Sequence, residues 1–106
     1  MAKAAPNPHG SVGDPVHQAA ADRLVEKLEK KHPAADVILE NKSIKKQTGL
    51  NVRPDAAVIE HGEVVEVGEA ARTNKDGTLV AREQRKQERY KEAGIPSTVE
   101  KIPPEE

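Results

Sequence analysis

The chain has 106 residues, of which 35% are apolar, enough to fill one modest core and not two. It contains no Phe, Trp or Cys and one aromatic residue, Tyr90, which excludes an aromatic platform for single strands, disulfides and thiolate metal sites, and leaves carboxylates and histidines as the metal ligands on offer. Seventeen Lys and Arg against 18 Asp and Glu give a formal net charge of −1, so a general basic coat for phosphate backbones is excluded and any nucleic-acid contact needs a local patch.

Residues 1–13, rich in Pro, Gly and Ala, read as a flexible leader, residues 103–106 as a tail, and residues 14–102 as a single domain. No apolar run has the length of a signal peptide or a membrane span, so the isolated chain reads as soluble, and a secreted parent would carry its targeting signal upstream. Asp14-Pro15 is a helix start, an N-cap acceptor before a proline whose missing N–H does no harm in the first turn. The helix expected over 15–32 carries His17, Ala21, Leu24, Val25 and Leu28 on one stripe and stops at Pro33. A short strand follows over 36–40, and the polar stretch 41–51 with Gly49 reads as a turn or loop. Two β-branched and Ala-rich runs, 52–60 and 63–71, joined by His61-Gly62, read as a hairpin. After the turn signal over 74–77, a charged helix over 79–93 ends at Gly94 with Pro96 beyond, and a last strand covers 97–102. The order α-β-β-β-α-β implies an α/β fold, a mixed central sheet flanked by helices.

Chemistry is suggested by charged residues at positions that should be interior. Alternation puts Arg53, Asp55, Ala57 and Ile59 on one face of the first hairpin strand and Val65, Val67 and Glu69 on one face of the second, so Asp55 and Glu69 are candidates to meet. Paired carboxylates on central strands repel one another and lose hydration unless a divalent cation or a basic partner neutralises them, which makes the pair a candidate Mg site. In the second helix Leu79, Glu83, Lys86, Tyr90 and Ala93 recur at intervals of three and four and define an inward stripe with Lys86 at its centre. A lysine there needs an anionic partner or a role beside a scissile phosphate. His17 is a candidate proton-transfer group or a satisfied structural histidine, and Arg72 can touch phosphate or pair with a carboxylate. Arg82, Arg85 and Arg89, with Lys91, give the second helix a basic outer side able to track a nucleic-acid backbone or simply to stay solvated. His9, His32 and His61 have no metal-ligand spacing and receive no role.

Arg53-Pro54-Asp55 opening a strand, a Glu on the next strand and then a helix resemble the PD-(D/E)xK nuclease superfamily. The resemblance implies a restriction-endonuclease-like core in which Asp and Glu hold Mg2+ or Mn2+ and a Lys two residues after the Glu sits at the phosphate. Here that lysine position is Gly68 if Glu66 is the motif acid and Ala71 if Glu69 is, so Lys86 on the following helix is the residue that would serve, with Glu69 preferred over Glu66. The stretch from Glu69-Ala70-Ala71-Arg72 through Asn74-Lys75-Asp76-Gly77, with Arg82-Glu83-Gln84, Lys86 and the run 90–96, also resembles C-terminal toxin domains of contact-dependent inhibition and Rhs-type polymorphic toxins. It implies a nuclease cutting DNA or tRNA in the cytoplasm of a competing cell, delivered by a larger secreted protein and neutralised by a cognate immunity protein. The rival readings are a noncatalytic α/β binding module and an immunity-like protein, both of which would send Asp55 and Glu69 to separate solvated places.

Overall fold

A computed structural model describes residues 15–104; the leader expected over 1–13, the Asp14 cap and the end of the tail lie outside the described residues. Seven elements follow in order: α1 (Pro15–Lys31), β1 (Val37–Glu40), α2 (Lys45–Thr48), β2 (Ala56–Glu60), β3 (Glu63–Arg72), α3 (Ala81–Glu92) and β4 (Ser97–Ile102). The strands form one mixed sheet in the order β1-β2-β3-β4. The first three are antiparallel, and β4 runs parallel to β3 after the crossover through α3. No helix among the described residues is long and apolar enough to cross a membrane.

The hairpin turn explains itself. His61 and Gly62 have φ of 54° and 80°, and Glu60 pairs with Glu63, which makes a two-residue turn of type I′, whose twist matches that of the flanking strands. The first hairpin strand is shorter than the expected 52–60. Pro54 has no N–H to give to a ladder, the Ile44 N–H is bonded to the Val52 carbonyl, and pairing with β3 begins only at Ala56. Asp55 therefore precedes β2 instead of alternating within it. The loop expected over 41–51 contains the single turn α2, closed by Gly49 in the left-handed region at φ 79°.

Helix α1 packs on one face of the sheet. Leu24 and Leu28 are buried against Ala56 and Val58, and Ala20 against Ala70 and Ile102. The side chain at Gly68 is missing for a reason: a Cβ there would stand 2.8–2.9 Å from three carbon atoms of Leu24. The other face holds Ile44, Val52, Ala57, Val67 and Tyr90, so the 41–54 segment and α3 cover it together. A bulge, where the register shifts between Val58 and Ile59, corrects the expected face of β3: Val64, not Val65, joins Val67 on the α3 side, while Val65 packs with the α1 cluster. Helix α3 begins at Ala81, two residues later than expected, because Leu79 bridges Thr73 and the Val80 N–H bonds the Arg72 carbonyl. Its expected inward stripe holds for Tyr90, Lys86 and Glu83, but Ala93 is exposed.

Candidate active site

Glu69 is the centre of the site. It points from β3 to the α3 side and is 2% exposed. One α3 residue, Lys86, sets its Nζ 3.2 Å from one carboxylate oxygen and 3.1 Å from the other. One turn on, Tyr90 donates its hydroxyl to Glu69 Oε2 at 2.5 Å. The i, i+4 spacing of Lys86 and Tyr90 is what lets one helix face grip both oxygens. Burial pushes the Glu69 carboxyl up to about 7, against the opposing pull of Lys86 and Tyr90, and the neighbouring charge of Asp55 adds to the rise. Burial and the Glu69 charge likewise raise the Tyr90 phenol, which stays a neutral donor.

Asp55 is held beside this cluster by the backbone. Its Oδ2 accepts the Ala70 N–H at 2.8 Å and lies 3.5 Å from His17 Nε2, while its own carbonyl accepts the Asn41 N–H at 3.0 Å. The Ala70 bond ties the loop before β2 to the residue after Glu69. The Lys86 ammonium also lies 3.4 Å from the Arg53 carbonyl, so α3 bridges the loop before β2 and strand β3.

These groups form the floor of a cleft of about 640 Å³ that is also lined by His17, Asn41, Asn51, Arg53, Arg72, Glu83 and the α3 arginines. Arg82, Arg85 and Arg89, expected on an outer side of the helix that tracks a nucleic-acid backbone or stays solvated, border the same cleft as Lys86. Five guanidinium groups and the Lys86 ammonium around three carboxylates make a site in which basic groups outnumber acidic ones. That is the local patch an almost neutral chain would need to hold a phosphate diester.

The donor set suits a hard divalent cation. Asp55 and Glu69 offer oxygen ligands at one end of the cleft, and Glu83 Oε1 is buried there without a hydrogen-bond partner. Among the described residues no three His, Asp or Glu side chains gather into a ready-made metal cluster. Mg2+ does not require one, since it commonly takes one or two carboxylates and completes its shell with water and substrate phosphate.

Glu66 does not join this site. It lies on the α1 face, 3% exposed, where His32 Nε2 approaches Oε1 at 2.6 Å, Lys31 Nζ donates at 3.0 Å and Thr98 donates its hydroxyl. Burial would raise its pKa, but the bonds from Thr98, His32 and Lys31 outweigh it and hold the carboxyl below the usual range. His32, given no role from its spacing, is thus a structural partner of Glu66. Three residues receive no role in the site from the sequence pattern: Tyr90 as the partner of Glu69, Arg53 as a cleft-lining residue and Asn41 as a support of Asp55. A lone aromatic on the same helical stripe as Lys86 is the available signal for Tyr90; nothing local marks Asn41.

Comparison of the chain with protein-family models, curated proteins and solved structures finds no match, so function has to be argued from the geometry of the cleft.

Proposed function

We propose that the chain is a divalent-ion-dependent nuclease that hydrolyses phosphodiester bonds of DNA or tRNA, with a restriction-endonuclease-like core. The observation that carries the reading is the meeting of Asp55, Glu69 and Lys86, drawn from a loop, a strand and a helix, at the floor of an arginine-walled cleft. Asp55 and Glu69 are the residues that would hold Mg2+ or Mn2+. Bound there, the ion would supply Lewis-acid polarisation of the phosphate and lower the pKa of the attacking water.

The protein's own groups do the rest. Arg72 and the α3 arginines hold the phosphate and its neighbours by charge-assisted bonds. Lys86, released from Glu69 as substrate and ion enter, counters the negative charge that grows on the phosphoryl oxygens. Tyr90 keeps Glu69 oriented, and His17, next to Asp55, is within the cleft to relay a proton. The resemblance to polymorphic-toxin tips supports a role as an interbacterial toxin domain with a cognate immunity protein covering the cleft.

One observation favours a second reading, a noncatalytic binding module: both Glu69 oxygens are already satisfied by Lys86 and Tyr90, as a purely structural ion pair would require. Incubation with plasmid DNA and total tRNA, in Mg2+, Mn2+ or chelator, decides between them. The nuclease reading expects ion-dependent cleavage of at least one substrate, lost in Asp55→Asn and Lys86→Ala. Absence of cleavage of both substrates under both ions favours the binding module.

A further inference from the structure

The charge of this nearly neutral chain is unevenly spread. Between Glu40 and Asp55 the sequence carries Lys42, Lys45, Lys46 and Arg53 and not one Asp or Glu. The segment is built onto the sheet face that carries the cleft: Ile44 and Val52 are buried with Tyr90 and Val67, and Asn41, Asn51, Val52 and Arg53 line the cleft itself. Its three lysines stand exposed on and beside α2, outside the lining of the cleft but on the segment that supplies part of it, and none of them forms an ion pair among the described residues. The cleft is also lined by Arg82, Arg85, Lys86 and Arg89, which recur at the three- and four-residue spacing that puts them on one side of α3.

We infer that the 41–54 segment is a second basic wall, and that it and α3 together form a track that binds the phosphate backbone of a nucleic acid on either side of the scissile bond. The inference rests on the nuclease reading of the same cleft and extends it from one phosphate to a run of them. Like charges crowded on one short segment repel each other, and a polyanion relieves that repulsion while releasing its own counterions. The sole aromatic residue is fully buried, so the track offers no aromatic face for a base to stack on. Affinity must then come mainly from phosphates and depend steeply on salt.

The test compares the parent chain with Lys42→Gln/Lys45→Gln/Lys46→Gln, three exposed substitutions that leave the buried cluster alone. Binding of a fluorescent 20-base-pair DNA duplex and of labelled tRNA is followed by anisotropy in chelator over a salt series, and hydrolysis of bis(p-nitrophenyl) phosphate in Mg2+ or Mn2+ is followed in parallel. The track expects the variant to bind more weakly, with a salt slope shallower by roughly two to three on the duplex, at about 0.9 for each phosphate that a lysine no longer neutralises. Hydrolysis of the small diester, too short to reach the lysines, stays unchanged. A variant that binds as tightly as the parent, with the same salt slope, overturns the track and leaves the nuclease reading standing. A parent that neither binds nucleic acid nor hydrolyses the small diester overturns both.

Discussion

Glu66 and Glu69 are three residues apart on β3 and both almost fully buried, yet their electrostatic states are opposite. The odd spacing sends them to opposite faces of the sheet. Glu66 meets Lys31, His32 and Thr98, whose bonds outweigh its burial and keep it ionised below the usual carboxylate range. Glu69 meets one ammonium and one phenol in a deeper setting that also contains Asp55, and burial lifts it to about 7. Both carboxyls are buried and bonded, but only at Glu66 do the surrounding bonds outweigh the burial of the charge. On the proposed nuclease reading, the carboxyl raised by burial, beside a lysine and in a basic cleft, is the one that takes part in chemistry.

The lysine attached to each glutamate gives the sharpest way to break this comparison. Lys86→Ala is expected to lower the rate of ion-dependent cleavage by roughly 10²–10³-fold, the scale for removing a group that stabilises transition-state charge. Lys31→Ala, made on the opposite face, is expected to leave the rate of the folded protein within about twofold, because Lys31 bonds Glu66 on the α1 side of the sheet and does not line the cleft. Equal losses in steady-state kinetics would mean that the faces are not functionally distinct.

Stability against pH separates the glutamates themselves. From pH 4.5 to about 7 the folded chain holds a proton on Glu69 that the unfolded chain has released, so stability falls as pH rises through that window, and Glu69→Gln should flatten the fall. Glu66 has the opposite sign: its folded pKa lies below 4.5, so its contribution is present above that value and is lost as pH drops through the folded pKa. Glu66→Gln should therefore cost about 1–3 kcal/mol at neutral pH, as loss of bonds to a charged group does. Urea denaturation at pH 3, 4, 5, 6, 7 and 8 measures both.

A smaller effect is expected at Gly68, between the two. Gly68→Ala drives a methyl group into Leu24 on the α1 side and should cost about 1–2 kcal/mol by overpacking. It should loosen the approach of α1, and with it the bonds from Lys31 and His32 to Glu66, while leaving those from Lys86 and Tyr90 to Glu69 in place. Chemical shifts or hydrogen exchange on the two sheet faces would tell them apart.

Much of the fold is legible in the sequence because its signals are local. The His61-Gly62 turn, the Leu24 and Leu28 stripe and the inward placement of Lys86 follow from backbone preference and helical spacing. The bulge is hidden because Val64 and Val65 are chemically equivalent, so nothing in their order tells which one faces α3. Alternation within a strand would aim Asp55; Pro54 keeps it in a loop, and the Ala70 N–H aims it instead. The anchoring of Glu66 depends on His32 and Thr98, 34 and 32 residues away, and no local pattern carries such an interaction.

The most direct test of the central claim is cleavage of plasmid DNA and total tRNA by Glu69→Gln and Glu66→Gln, each in Mg2+ or Mn2+ and in chelator, at equal concentrations of folded protein. The account expects Glu69→Gln to be inactive and Glu66→Gln to cut like the parent. A Glu69→Gln variant that retains ion-dependent cleavage would contradict it, because Glu69 would then be an ordinary buried ion-pair residue and the hydrolytic site would lie elsewhere.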